Sequence, residues 1–148
     1  MKKVWVLVAD EAMSRILLLN TKEKRLEPVE EIADPDAHAP NAELRRDAYG
    51  RRNAGGGQGN SPSSVTASAG EDPSQQHAEV FAATVASTLQ RGFDAQRFDE
   101  LVVVAAPHFL GLLRKAFAKP LAAAVVRDEP KDFVHFTNDE IYQRLFGT

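Results

Sequence analysis

Residues 99–117 read DELVVVAAPHFLGLLRKAF. A strand-like run, Glu100–Ala106, apolar from Leu101 on, gives way at Pro107 to residues spaced as on a helix, with Phe109, Leu110, Leu113 and Phe117 on one side. Continuous Val/Leu runs without polar alternation belong to strands buried on both faces. Proline suits the first turn of a helix, where its missing N–H costs nothing. A strand buried on both faces and followed at once by a helix is a unit of an α/β sheet, so the neighbouring segments should supply helices and parallel strands.

They do so in pattern. Upstream, Ala78, Phe81, Ala82, Val85 and Leu89 recur at helical spacing, which predicts a helix over residues 74–91, with Pro73 before its start and Gly92 just past its end. Downstream, Lys119-Pro120 ends the second helix, Ala123–Arg127 forms a last strand, and Thr137-Asn138-Asp139-Glu140 has capping-box spacing ahead of IYQRLF, a terminal helix. At the other end of the chain, VWVLVA (Val4–Ala9), Ser14–Leu19 and Leu26–Ile32 are three strands joined by short polar turns, hence an antiparallel meander. Pro28 places the third strand at an edge, since proline cannot donate to a central ladder. The order βββ, long loop, α-β-α-β-α predicts a single α/β domain over residues 1–148 with a mixed five-stranded sheet, the order of the ribonuclease-H-like topology.

Bulk composition narrows the function classes. The chain is 43% hydrophobic and 26% charged, with net charge −3, so there is no global basic field and any nucleic-acid contact must come from a local patch. The absence of cysteine removes disulfides, thiolate catalysis and cysteine-ligated metals. The apolar run after Lys2-Lys3 stops at Asp10, short of the roughly 7–15 residues of a secretory core. No stretch reaches the roughly 20 apolar residues that span a bilayer. The expectation is a cytoplasmic protein with no membrane contact and no cofactor; nothing in the pattern specifies an oligomeric state.

Several candidate sites weigh against bland readings. Asp10, at the end of the first strand, stands where ribonuclease-H-type nucleases keep a metal-binding aspartate. Two-metal chemistry needs several carboxylates around cations roughly 4 Å apart, and the fourth strand ends in Ala105-Ala106-Pro107-His108 without an acid. Asp10 fits better as a turn residue bonding its own backbone. Asp34, Asp36 and His38 could hold a metal but read as solvated loop charges. His108 follows a strand end, where ligands often bind, though a first-turn histidine is the commoner case. Sequence alone assigns no role to His77, early in the first helix, or to His135, between Val134 and Phe136. Ser61, Ser63, Ser64 and Ser68 lack a nucleophile-elbow context, and Gly55-Gly56-Gly57 lacks the lysine of a phosphate loop.

Residues 33–74 carry the most functional information. Within them YGRRNAGGGQGNSP spans residues 49–62. Gly56 and Gly57 let another backbone come close, and Gln58 offers a neutral amide that can position a water while neighbouring N–H groups stabilise an oxyanion. Arg45, Arg46, Arg51 and Arg52 surround Tyr49, a combination of guanidinium forks and a stacking ring that suits RNA. Read from residues alone, the stretch fits a flexible glycine- and serine-rich connector somewhat better, since glycine-rich strings are common and a Gly-Gly-Gln triplet is short.

Three stretches carry a resemblance: VWVLVADEAMSRILLL at the start, the RRDAYGRR…GGGQG loop, and FDELVVVAAPHFLGLLRKAF followed by DFVHFTNDEIYQRL. Together they resemble the bacterial host attachment protein family, described as required for attachment to host cells. The likeness covers nearly the whole chain and is most specific at APHFLGLLR, Ala106–Arg114. That family is similar to the central domain of archaeal and eukaryotic class-I peptide release factors, a ribonuclease-H-like domain whose Gly-Gly-Gln loop promotes hydrolysis of the peptidyl-tRNA ester. The resemblance implies that Gly56, Gly57 and Gln58 occupy the matching triplet and that Arg51 and Arg52 stand for its basic flank. It implies a ribosome or structured RNA as partner; a non-enzymatic module binding a protein partner is the alternative. The chain departs from release factors in its following helix, which carries Gln75, Gln76, His77 and Glu79 rather than a basic row.

Overall fold

The computed structural model describes residues 2–34 and 73–147. Strands β1 (Val4–Ala9), β2 (Met13–Asn20) and β3 (Arg25–Ala33) are followed by helix α1 (Pro73–Asp94), β4 (Glu100–Ala105), α2 (Pro107–Ala116), α3 (Lys119–Ala124), β5 (Val125–Glu129) and α4 (Asn138–Phe146). The five strands make one sheet in the order β3-β2-β1-β4-β5. β1 pairs antiparallel with β2, which pairs antiparallel with β3; β1 pairs parallel with β4, and β4 with β5. The α/β class and the mixed five-stranded sheet read from the sequence are thus both present.

Successive residues of a strand face opposite sides, and β1 divides its side chains accordingly. Trp5, Leu7 and Ala9 pack under Phe81, Val85 and Leu89 of α1 and Phe109 and Leu113 of α2. Val6 and Val8 face the other way, against Phe133, Val134 and the Ile141 and Leu145 of α4. Helices on both faces explain why β1, and β4 from Leu101 on, are apolar at every position: neither face of the central pair meets water there. Pro28 lies on β3, an edge strand as its ring requires, and the β2–β3 register slips between Ile16 and Leu17, opposite Glu30 and Pro28. The capping box forms as its spacing predicts: the Thr137 hydroxyl accepts from the Glu140 N–H and the Glu140 carboxylate accepts from the Thr137 N–H.

Three boundary expectations are corrected. Lys119-Pro120 does not end a helix. α2 stops at Ala116, Phe117 turns extended, and Lys119-Pro120 opens the separate helix α3, where proline again sits in the first turn. Because Ala123 and Ala124 belong to α3, the last strand is displaced from Ala123–Arg127 to Val125–Glu129. Gly92 does not lie past the end of α1 but inside it, since the helix continues to Asp94. A side chain there would press on the Trp5 ring, with Cβ only 2.9 Å from two ring carbons, so close packing rather than helix termination accounts for this glycine. Ala33 closes β3 and Pro73 opens α1, and the remainder of the stretch read as a long loop, residues 33–74, lies outside the described residues apart from Asp34 and Ser74.

Candidate functional site

The carboxyl ends of β1 and β4 lie side by side, with Ala9 in register with Ala105. To the left of this pair the neighbour is antiparallel β2, to the right parallel β5. The chain therefore turns back from the end of β1 through residues 10–12 but climbs from the end of β4 directly into α2. Open sheets tend to bind ligands at such strand ends.

Asp10 builds the β1–β2 turn. Its Oδ1 accepts from the N–H groups of Ala12 (2.8 Å) and Met13 (2.9 Å), and its own N–H donates to the Met13 carbonyl. With one carboxylate oxygen committed to the backbone, Asp10 behaves as the turn residue its sequence suggested. His135 stands 3.9 Å from its other oxygen, Oδ2. Among the described residues there is no group of three or more His, Asp or Glu side chains that could hold a metal ion. Asp34 is buried, and its N–H donates to the Ala12 carbonyl, which ties the end of β3 to the same turn.

His108, the second residue of α2, reaches across to the first turn of α1. Its Nε2 lies 2.7 Å from Gln75 Oε1 and 3.8 Å from Glu11 Oε2. Gln75 in turn donates its amide N–H to Glu79 Oε2 at 3.0 Å, which settles the amide with its oxygen toward the imidazole. An accepting oxygen on Nε2 places the proton there in the neutral ring and leaves Nδ1 as an acceptor. Both ring and carboxylate are about half exposed, 57% and 49%, so solvent weakens any attraction between them. Sequence reading found His108 as a strand-end histidine but missed Gln75, which is 33 residues away and carries no local signal.

The residues read as catalytic, Gly56, Gly57 and Gln58, and those read as RNA-binding, Arg45, Arg46, Tyr49, Arg51 and Arg52, lie outside the described residues, as do Asp36 and His38. What the structure fixes is where residues 35–72 attach. They leave after Asp34, fastened to Ala12, and return through α1, whose Gln75 is fastened to His108. Both attachments are at the carboxyl edge of β1 and β4. No helix among the described residues is long and apolar enough to cross a membrane.

A family model described as "Protein required for attachment to host cells" matches residues 5–145. No curated protein matches the chain.

Proposed function

Starting from a chain that belongs to the family of proteins required for attachment to host cells, we propose that it works as a cytoplasmic RNA- or ribosome-associated factor. In this reading Gly56-Gly57-Gln58 promotes hydrolysis of a peptidyl-tRNA ester held by the partner's catalytic centre. The observation that carries the proposal is the pair of anchors, Asp34 on Ala12 and Gln75 on His108, which flank residues 35–72 at one edge of the sheet. A segment attached in this way is suited to being offered to another molecule. The strand order β3-β2-β1-β4-β5 supports the ribonuclease-H-like reading, and with it the likeness to the central domain of release factors.

The chemistry asked of the segment is modest. Gln58 is neutral and is no strong base, but its amide can hold a water against the ester carbonyl. The water oxygen bonds to the carbonyl carbon, the bond to the tRNA ribose oxygen breaks, and the proton passes to that oxygen. Backbone N–H groups of the flanking glycines stabilise the charge that develops. Arg45, Arg46, Arg51 and Arg52 neutralise RNA phosphates, and Tyr49 stacks on a base. Contacts of this kind weaken as salt rises, because phosphate binding releases counterions.

The test is co-sedimentation with ribosomes at low and raised salt, alongside peptide release from loaded ribosomes. Binding should fall with salt and with simultaneous replacement of the four arginines by alanine, and Gln58→Ala should abolish release while leaving binding intact. Neither binding nor release at low salt would end the proposal. Binding of a protein partner through residues 54–74, with no release, would favour a regulatory module instead.

A further inference from the structure

A cavity of about 310 Å³ lies away from the edge described above, between α2, α3 and the β4–β5 pair. Val103 of β4 and Val125 of β5 line it together with Leu110, Phe117 and Ala122. Arg114 of α2 and Asp128 of β5 complete the lining. The volume is at the lower end of the range for small-molecule sites, about 300–1,000 Å³, and the lining follows their usual pattern of apolar walls with few polar groups.

Those polar groups specify the ligand. Arg114 Nε (3.1 Å) and Nη2 (3.0 Å) both point to one oxygen, Asp128 Oδ2. Arg114 Nη2 keeps a second hydrogen and Asp128 keeps Oδ1, so a donor and an acceptor are left over side by side on one neutral pair, its side chains 59% and 33% exposed. A carboxylate ligand would gain Arg114 and meet Asp128; an ammonium or amidinium ligand would meet the reverse. A carboxamide or lactam presents an acceptor beside a donor and complements both partners without breaking their ion pair. We infer that the cavity binds a small, planar, uncharged molecule, its apolar ring against Leu110 and Phe117 and its carboxamide or lactam edge on Arg114 and Asp128. The lining residues named lie between Val103 and Asp128, and the inference does not rest on the function proposed for residues 35–72.

The experiment is a titration of the full chain, labelled with nitrogen-15, with benzamide, benzoate and benzamidine in turn. Benzamide should shift the backbone amide signals of Leu110, Ala122 and Val125 in a saturable way. Benzoate and benzamidine should bind at least about tenfold more weakly, the worth of one unmade hydrogen bond to a charged group. Ala122→Phe fills the cavity from an exposed position and should remove the benzamide response. Asp128→Asn frees Arg114 and should reverse the order, so that benzoate binds more tightly than benzamide. Absence of saturable shifts with benzamide, equal response to all three probes, or an unchanged response in Ala122→Phe would each overturn the inference.

Discussion

Replacing Gly92 by alanine puts two well-measured effects in opposition. Alanine is favoured over glycine inside a helix by about 1 kcal/mol, and Gly92 lies within α1. On helix propensity alone the substitution should stabilise the protein. The tertiary structure opposes it. The new Cβ would come within 2.9 Å of Trp5 Cη2 and Cζ3 and 3.4 Å of Phe98 Cε1, where ordinary contacts run 3.4–4 Å. The Trp5 ring has little room to withdraw. It is 3% exposed, stacked on Phe98 at 4.5 Å between centroids, and covered by the Arg97 guanidinium at 5.0 Å. Overpacking of this kind costs about 1–3 kcal/mol. Gly92→Ala should therefore lower stability by about 1 kcal/mol net, and the midpoint of thermal unfolding by about 2–4 °C for a chain of this size. Urea unfolding followed by circular dichroism measures it. The same substitution in a Trp5→Phe background, where a smaller ring faces Gly92, should turn neutral or stabilising. If Gly92→Ala raises stability by the full propensity difference in the natural background, the close-packing explanation of this glycine is wrong.

Other positions give further expected outcomes. Thr137→Ala removes the hydroxyl that accepts from the Glu140 N–H and should cost about 1 kcal/mol in chemical denaturation. Arg15→Met should cost more, about 2–3 kcal/mol, because the Arg15 guanidinium donates to the carbonyls of Val134 and Phe136 and to Asn138, and its loss leaves part-buried acceptors unpaired. Leu113→Ala empties a fully buried position beneath α1 and should cost about 2–5 kcal/mol. Hydrogen bonds from Asn20, and then from Arg25, hold the Glu27 carboxyl below its ordinary value of 4.5. A carboxylate depressed in the folded state stabilises above its unfolded value and loses that contribution as pH falls through the folded one. Glu27→Gln should therefore flatten the stability profile below about pH 4.5 and leave its acid limb shallower, as acid titration monitored by circular dichroism would show.

Much of this architecture is legible from residue pattern. The two-sided burial of β1 and β4 is visible in VWVLVA and ELVVVA because water is excluded from both faces of a central strand. The α1 stripe from Ala78 to Leu89 and the capping box at Thr137 are equally local. Errors gathered where one residue type serves two purposes. Proline at position 120 was read as a stop, and it is a start, because a ring with no N–H is compatible with either side of a helix boundary. Glycine at position 92 was read as a terminus, and it is a contact, because the residue that needs the space is Trp5, far away in sequence. For the candidate site, Asp10 was legible as a turn residue since its partners lie two and three positions ahead. The tie between His108 and Gln75 was not, since only the adjacency of α1 and α2 over the sheet brings them together.

Segment identity, edge placement of Pro28, and family kinship were all present in the linear order of residues, because each depends on periodicity, backbone chemistry or motif over short distances. Three features waited for the folded chain: the Trp5–Gly92 contact, the Arg114–Asp128 pair above an apolar cavity, and the gathering of Asp10, Glu11, Asp34, Gln75 and His108 at one sheet edge. Each joins residues from different elements. Their proximity follows from strand order and helix packing, which are set by the burial of the whole core and leave no mark on any single stretch of sequence.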